Sequence, residues 1–153
     1  MTVTKPPLET TVRVLVVEDN ADDRELLLRQ LRKSGMDTHV KFISNGQEAL
    51  DFLSRPGEAY LADELIAIFL DLRLPSLSGI ELLRRLRRQE HLQEVPVIVM
   101  TSSNDPNDLE ECRRLKVTNY VSKPVTFTSF SKAVADVFHL PRMGGEPASI
   151  EET

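Results

Sequence analysis

Five short apolar runs punctuate the chain, and between them apolar residues recur every three or four positions. The runs are VRVLVV at 12–17, THVKFI at 38–43, IAIFLD at 66–71, VPVIVM at 95–100 and TNYVS at 118–122. Runs of this length, rich in β-branched residues, predict strands, and those without polar alternation predict strands buried on both faces. The intervening stretches have helical spacing. Asn20 suits the cap of a helix beginning at Ala21, with Asp22, Asp23 and Glu25 near its positive end. Leu27, Leu28 and Leu31 form its apolar stripe, and Gly35 stops it. Asn45-Gly46 opens a short helix carrying Ala49, Leu50 and Leu53. After the loop LRLPSLSG, a third helix points Leu82, Leu83 and Leu86 inward and Arg84, Arg85, Arg87 and Arg88 mostly outward. Asp105-Pro106 suits the start of a fourth, running to about Leu115. The fifth carries Phe127, Phe130, Val134, Val137 and Phe138, and Pro141 ends it. Strands alternating with helices predict an α/β domain, a doubly wound parallel sheet covered on both faces. Residues 1–11 read as a loose arm, 12–139 as the domain and 140–153 as a flexible tail.

Composition narrows the function. With 153 residues, 41% of them apolar, the chain has material for one domain with an ordinary core. The net charge of −5 argues against nucleic acid, whose phosphates demand basic surface. A single cysteine allows no internal disulfide, which suits a reducing cytoplasm. No apolar stretch approaches the roughly 20 residues that span a bilayer, and the N-terminus has no secretory h-region. Residues 140–153 are too few for a DNA-binding module.

The chemistry sits at the ends of the apolar runs. Glu18 and Asp19 follow the first, Asp71 closes the third, Thr101 follows the fourth, and Lys123 precedes Pro124 after the fifth. In an open parallel sheet, ligands bind outside the carboxyl ends of the strands, so these residues should share one rim. Clustered carboxylates repel, and a hard cation relieves that repulsion; Mg²⁺ takes oxygen ligands from one or two carboxylates plus a phosphate. A carboxylate also serves as a nucleophile that forms an aspartyl phosphate, and Asp71 is the best placed. Lys123 would supply a point charge opposite the metal, and Thr101 a hydroxyl for a phosphoryl oxygen.

The segments VVEDN, FLDLRLPSLSG, VMTS and YVSKP together resemble the receiver domain of response regulators, the phosphoacceptor half of two-component signalling. The resemblance covers residues 12–139 and is specific because the spacings among Asp71, Thr101 and Lys123 agree together. It implies a flavodoxin-like (βα)5 sandwich with strand order 2-1-3-4-5. It implies that Asp71 is phosphorylated by a sensor histidine kinase, and that the domain catalyses only its own phosphorylation and dephosphorylation. Asp19, Asp71 and the backbone carbonyl of Arg73 would ligate Mg²⁺, with Glu18 acting through water. Thr101 and Tyr120 would form a switch pair, Lys123 the phosphoryl counter-ion, and Lys123–Pro124 a cis bond that aims the lysine at the site. Three features depart from the common pattern. Glu18 stands where aspartate is commoner. Arg73 is large and cationic at a position that influences dephosphorylation. The 54–64 connection is long, and with the LRLPSLSG loop it is similar to stand-alone regulators paired with phytochrome-type kinases.

Other features read more plainly. Glu18-Asp19 alone would be a helix-capping pair, and only the joint occurrence with Thr101 and Lys123 favours a phosphoacceptor site. Tyr120 fits half-buried packing as well as a switch. The arginines at 84–88 read as a solvated helix face, with docking as the alternative. His39, His91 and His139 lack metal-ligand spacing, and Cys112 suits a small packing residue. The last helix is mainly core; any surplus apolar surface would form a dimer face through the fourth helix, fifth strand and fifth helix, as receivers often do. A phosphohydrolase with an aspartyl nucleophile would place a second acid two residues on, where this chain has Arg73. A nucleotide or flavin carrier would need a Gly- or Ser/Thr-rich phosphate loop after the first strand, and EDNADD is its electrostatic opposite.

Overall fold

The computed structural model describes residues 12–57, 60, 64–101 and 106–138. The expected arm, the expected tail, Pro141 and His139 lie outside the described residues. Five strands alternate with five helices: β1 (Val14–Val17), α1 (Ala21–Lys33), β2 (Val40–Ile43), α2 (Gly46–Leu53), β3 (Ala67–Asp71), α3 (Gly79–Arg87), β4 (Val97–Thr101), α4 (Pro106–Arg114), β5 (Asn119–Ser122) and α5 (Phe127–Phe138). All strand pairs are parallel, in the order β2-β1-β3-β4-β5. This is the expected flavodoxin-like sandwich.

The strand alternation sorts the core into two layers. Val14 and Val16 face α1 and α5, packing with Leu27, Leu31, Phe69 and Phe130. Leu15 and Val17 face α2 and α3, packing with Leu53, Leu82, Leu83 and Leu86. Phe69 and Phe130 stack across the sheet–α5 seam with centroids 4.7 Å apart. Cys112 is fully buried against Leu72 and Val99 beneath α4, as a packing residue should be.

Side-chain caps start the first three helices, the first two at the expected Asn20 and Asn45, while the expected Asp105 start of α4 lies outside the described residues. The Asn20, Asn45 and Ser78 side chains accept from the amides of Asp23, Glu48 and Glu81. Two expectations need correction. The second strand begins at Val40 rather than Thr38, because Asp37–His39 forms a 3₁₀ turn. The α3 arginines are not one solvated face. Arg85 and Arg88 are exposed, but Arg84 joins Glu81 to Glu111 of α4. Arg87 turns inward and donates to the carbonyls of Leu92, Val95, Leu115 and Lys116.

Candidate functional site

The sheet register assembles the site. Val17 pairs with Leu70, so one residue further Glu18 comes beside Asp71. Asp71 pairs with Met100, and Thr101 pairs with Ser122, which places Lys123 directly beyond the rim. The Lys123 amide donates to the Thr101 carbonyl at 3.0 Å, tying the last two strands together at that edge. Gly79 lets α3 start hard against the acidic rim. A Cβ there would lie 2.4 Å from the Asp71 carbonyl oxygen and 2.5 Å from the Leu72 Cα. No side chain fits that gap without moving the backbone that carries Asp71.

Glu18, Asp19 and Asp71 bring one carboxylate oxygen each to within 4.8 Å of one another. Glu18 and Asp71 are buried, and Asp19 is exposed. The Lys123 ammonium bridges the buried pair, 2.9 Å from Asp71 Oδ2 and 3.0 Å from Glu18 Oε1. The other Asp71 oxygen accepts the Arg73 amide at 2.9 Å, and Glu18 accepts the Asn20 amide at 3.0 Å. Arg24 holds the loop from behind, donating to the carbonyls of Glu18 and Asp19.

Charge is unevenly balanced here. Burial pushes the Glu18 carboxyl up to about 7, against the lowering pull of the Asn20 amide and Lys123, and the Asp71 charge adds to the rise. Burial opposes the Lys123 charge, but the bonds and attraction from Asp71 and Glu18 outweigh it and hold the ammonium above the ordinary lysine value. One lysine does not neutralise the rim, and Glu18 accordingly retains affinity for a proton near neutrality. Such a hard-oxygen donor set, short of positive charge, fits a divalent cation.

Thr101 ends β4 on the same rim. Tyr120 does not join the acidic cluster. Its ring is 39% exposed, its hydroxyl lies 3.5 Å from the Leu109 carbonyl, and with Thr101, Pro106, Leu109 and Arg113 it lines an open groove of about 580 Å³. The Lys123–Pro124 bond is cis, as expected. Asp23, in contrast, was legible in the sequence only as a helix-terminal acid. The fold brings its carboxylate to 3.3 Å from Lys123 Nζ, a pairing across the chain that no local pattern signals.

Comparison with known proteins agrees with this geometry. The family model for the response regulator receiver domain matches residues 14–135. A probable methanogenesis regulatory protein, FilR2 of Methanothrix harundinacea, is 32% identical over 124 residues, covering 81% of this chain and 79% of that protein. The solved bacteriophytochrome response regulator AtBRR is 35% identical, with a TM-score of 0.69, covering 89% of this chain and 99% of that one. The receiver domain of sensor histidine kinase PA1611 from Pseudomonas aeruginosa PAO1, solved with a magnesium ion in its active-site cleft, is 27% identical at a TM-score of 0.68, covering 82% and 96%. The parallel sheet, the acidic rim with its lysine and the matched family model lead to one conclusion: this chain belongs to the response regulator receiver-domain family of two-component signalling.

Proposed function

We propose that the protein is a response regulator whose Asp71 accepts a phosphoryl group from the phosphohistidine of a sensor histidine kinase. The observation that carries this reading is the Lys123 ammonium poised 2.9 Å from Asp71 beside two further carboxylates. In the transfer, an Asp71 carboxylate oxygen forms the new P–O bond. The P–N bond breaks with its electron pair staying on the imidazole, which takes up a proton from solvent. Asp19, Asp71 and the Arg73 carbonyl would hold Mg²⁺, with Glu18 acting through water, and the ion would supply neutralisation for charge on the phosphoryl oxygens. Lys123 and the Thr101 hydroxyl would receive the phosphoryl oxygens. Tyr120 would follow Thr101 into the groove they share, shifting the face formed by α4, β5 and α5. That face would then bind a protein target or a second copy of the chain.

The similarity to a bacteriophytochrome response regulator supports a phytochrome-type kinase as the donor. Among the described residues no helix is long and apolar enough to cross a membrane, which fits action in the cytoplasm beside a kinase. The test is to offer a small acyl phosphate with Mg²⁺ and read the intact mass. The wild type should gain one phosphoryl group, and Asp71→Asn or removal of Mg²⁺ should abolish the gain. Equal labelling of the Asp71→Asn protein would refute the proposal.

A further inference from the structure

We infer that Asp23 is a positioning residue for Lys123, an internal competitor with a phosphoryl group for its positive charge. This rests on the phosphoacceptor reading of the site. Asp23 occupies the third position of α1, where an acid commonly bonds back to the amide of the capping residue. Here that amide, of Asn20, is already taken by Glu18 at 3.0 Å. The Asp23 carboxylate is thus free of capping duty, and it reaches Lys123 instead.

A lysine ammonium has three N–H groups, and Lys123 meets three carboxylates: Asp71 at 2.9 Å, Glu18 at 3.0 Å and Asp23 at 3.3 Å. It donates hydrogen bonds to Asp71 and Glu18, while Asp23 holds it as an ion pair. A phosphoryl oxygen on Asp71 must compete with these carboxylates for the ammonium. Asp23 is the one that yields most readily. Its contact is the longest, and its side chain is 32% exposed against 3% for Glu18 and 7% for Asp71. Water can therefore solvate the released Asp23, whereas releasing Glu18 would leave a buried acid without its partner; Asp71 gives up its own carboxylate charge on forming the acyl phosphate. Asp23 thus holds the lysine in place in the resting site and weakens its grip on the phosphoryl group.

The experiment measures beryllofluoride affinity at saturating Mg²⁺ and the lifetime of the acyl phosphate. Asp23→Asn removes the competing charge and should tighten beryllofluoride binding, and lengthen the lifetime, about three- to fivefold, the scale of a partly exposed ion pair. Asp23→Glu, which keeps the charge, should behave as wild type. Asp22→Asn makes the same change of charge one residue earlier on α1, at an exposed position with no ion pair among the described residues, and should change either quantity less than 1.5-fold. Denaturant midpoints accompany each variant, and Asp23→Ser repeats the measurement if Asp23→Asn folds poorly. Asp23→Asn and Asp23→Ser matching wild type, or matching Asp22→Asn, would overturn the inference. Wild-type protein that fails to bind beryllofluoride at all would instead sink the phosphoacceptor reading on which it stands.

Discussion

Replacing Arg87 by methionine tests the packing logic at the end of the domain opposite the acidic rim. The guanidinium donates to Leu92 and Val95 at 2.8 Å, to Leu115 at 2.9 Å and to Lys116 at 3.1 Å. It thereby ties the end of α3 to the segment entering β4 and to the turn that ends α4. Lys116 adopts a positive φ of 63° in that turn, so its carbonyl is presented by a backbone that needs external support. Burial already pulls the Arg87 pKa down, so the charge is retained at a desolvation cost that the carbonyls must offset. A hydrogen bond to a charged group contributes about 1.5–3 kcal/mol when partly buried. The Lys116 contact is exposed and counts for little, and methionine keeps much of the aliphatic packing. The expected loss is about 3–4 kcal/mol, or a fall of about 10–15 °C in Tm for a domain of this size. Urea denaturation of Arg87→Met measures it, with the exposed Arg88→Met as the control, expected within about 0.5 kcal/mol of wild type. Arg87→Lys should fall between the two, since an ammonium lacks the planar fork. An Arg87→Met protein no less stable than Arg88→Met would refute the reasoning.

Glu18, held near 7, makes the site pH-dependent in two ways. A carboxyl whose folded pKa is raised contributes stability that is present below its ordinary value of about 4.5 and is lost as pH rises through about 7. Metal-free protein should therefore weaken across that window, and Glu18→Gln should flatten the profile; an unchanged slope in the variant would count against it. Because a cation needs the ionised form, Mg²⁺ affinity should rise about tenfold from pH 6 to 8, read by calorimetry with proton release, and a pH-independent affinity would contradict the assignment. Gly79→Ala should lower phosphoryl acceptance at least tenfold and cost about 1–3 kcal/mol, because its methyl would meet the Asp71 backbone; unaltered labelling would show that the rim tolerates the shift. Phe130→Ala should cost about 3–5 kcal/mol in chemical denaturation by emptying the space against Phe69, and a loss below about 1 kcal/mol would mean that the core closes over the gap.

Much of this architecture was written locally. Apolar runs such as IAIFL exclude water from both faces, and caps such as Asn20 and Ser78 satisfy helix amides within four residues of themselves, so strands, helices and their alternation needed no knowledge of the rest of the chain. The candidate site was legible for a related reason. Polar residues at the ends of otherwise apolar strands are costly to bury, and in a parallel sheet those ends converge on one rim.

Only the tertiary structure decided which charges meet. Arg87 and Arg88 are adjacent in one basic run, and which of them turns inward depends on carbonyls supplied by segments up to 29 positions away. Asp22 and Asp23 are equivalent helix-terminal acids by pattern, yet Asp23 alone reaches a lysine that lies on the far side of four intervening strands in the chain. Tyr120 lies on a strand whichever way its ring turns, and its exposure was set by the packing around α4. Local pattern specifies hydrophobicity and backbone preference, which act over a few residues. Pairing of charges requires their approach to within a few ångströms, and that distance exists only once the register of the sheet and the seating of the helices have been established.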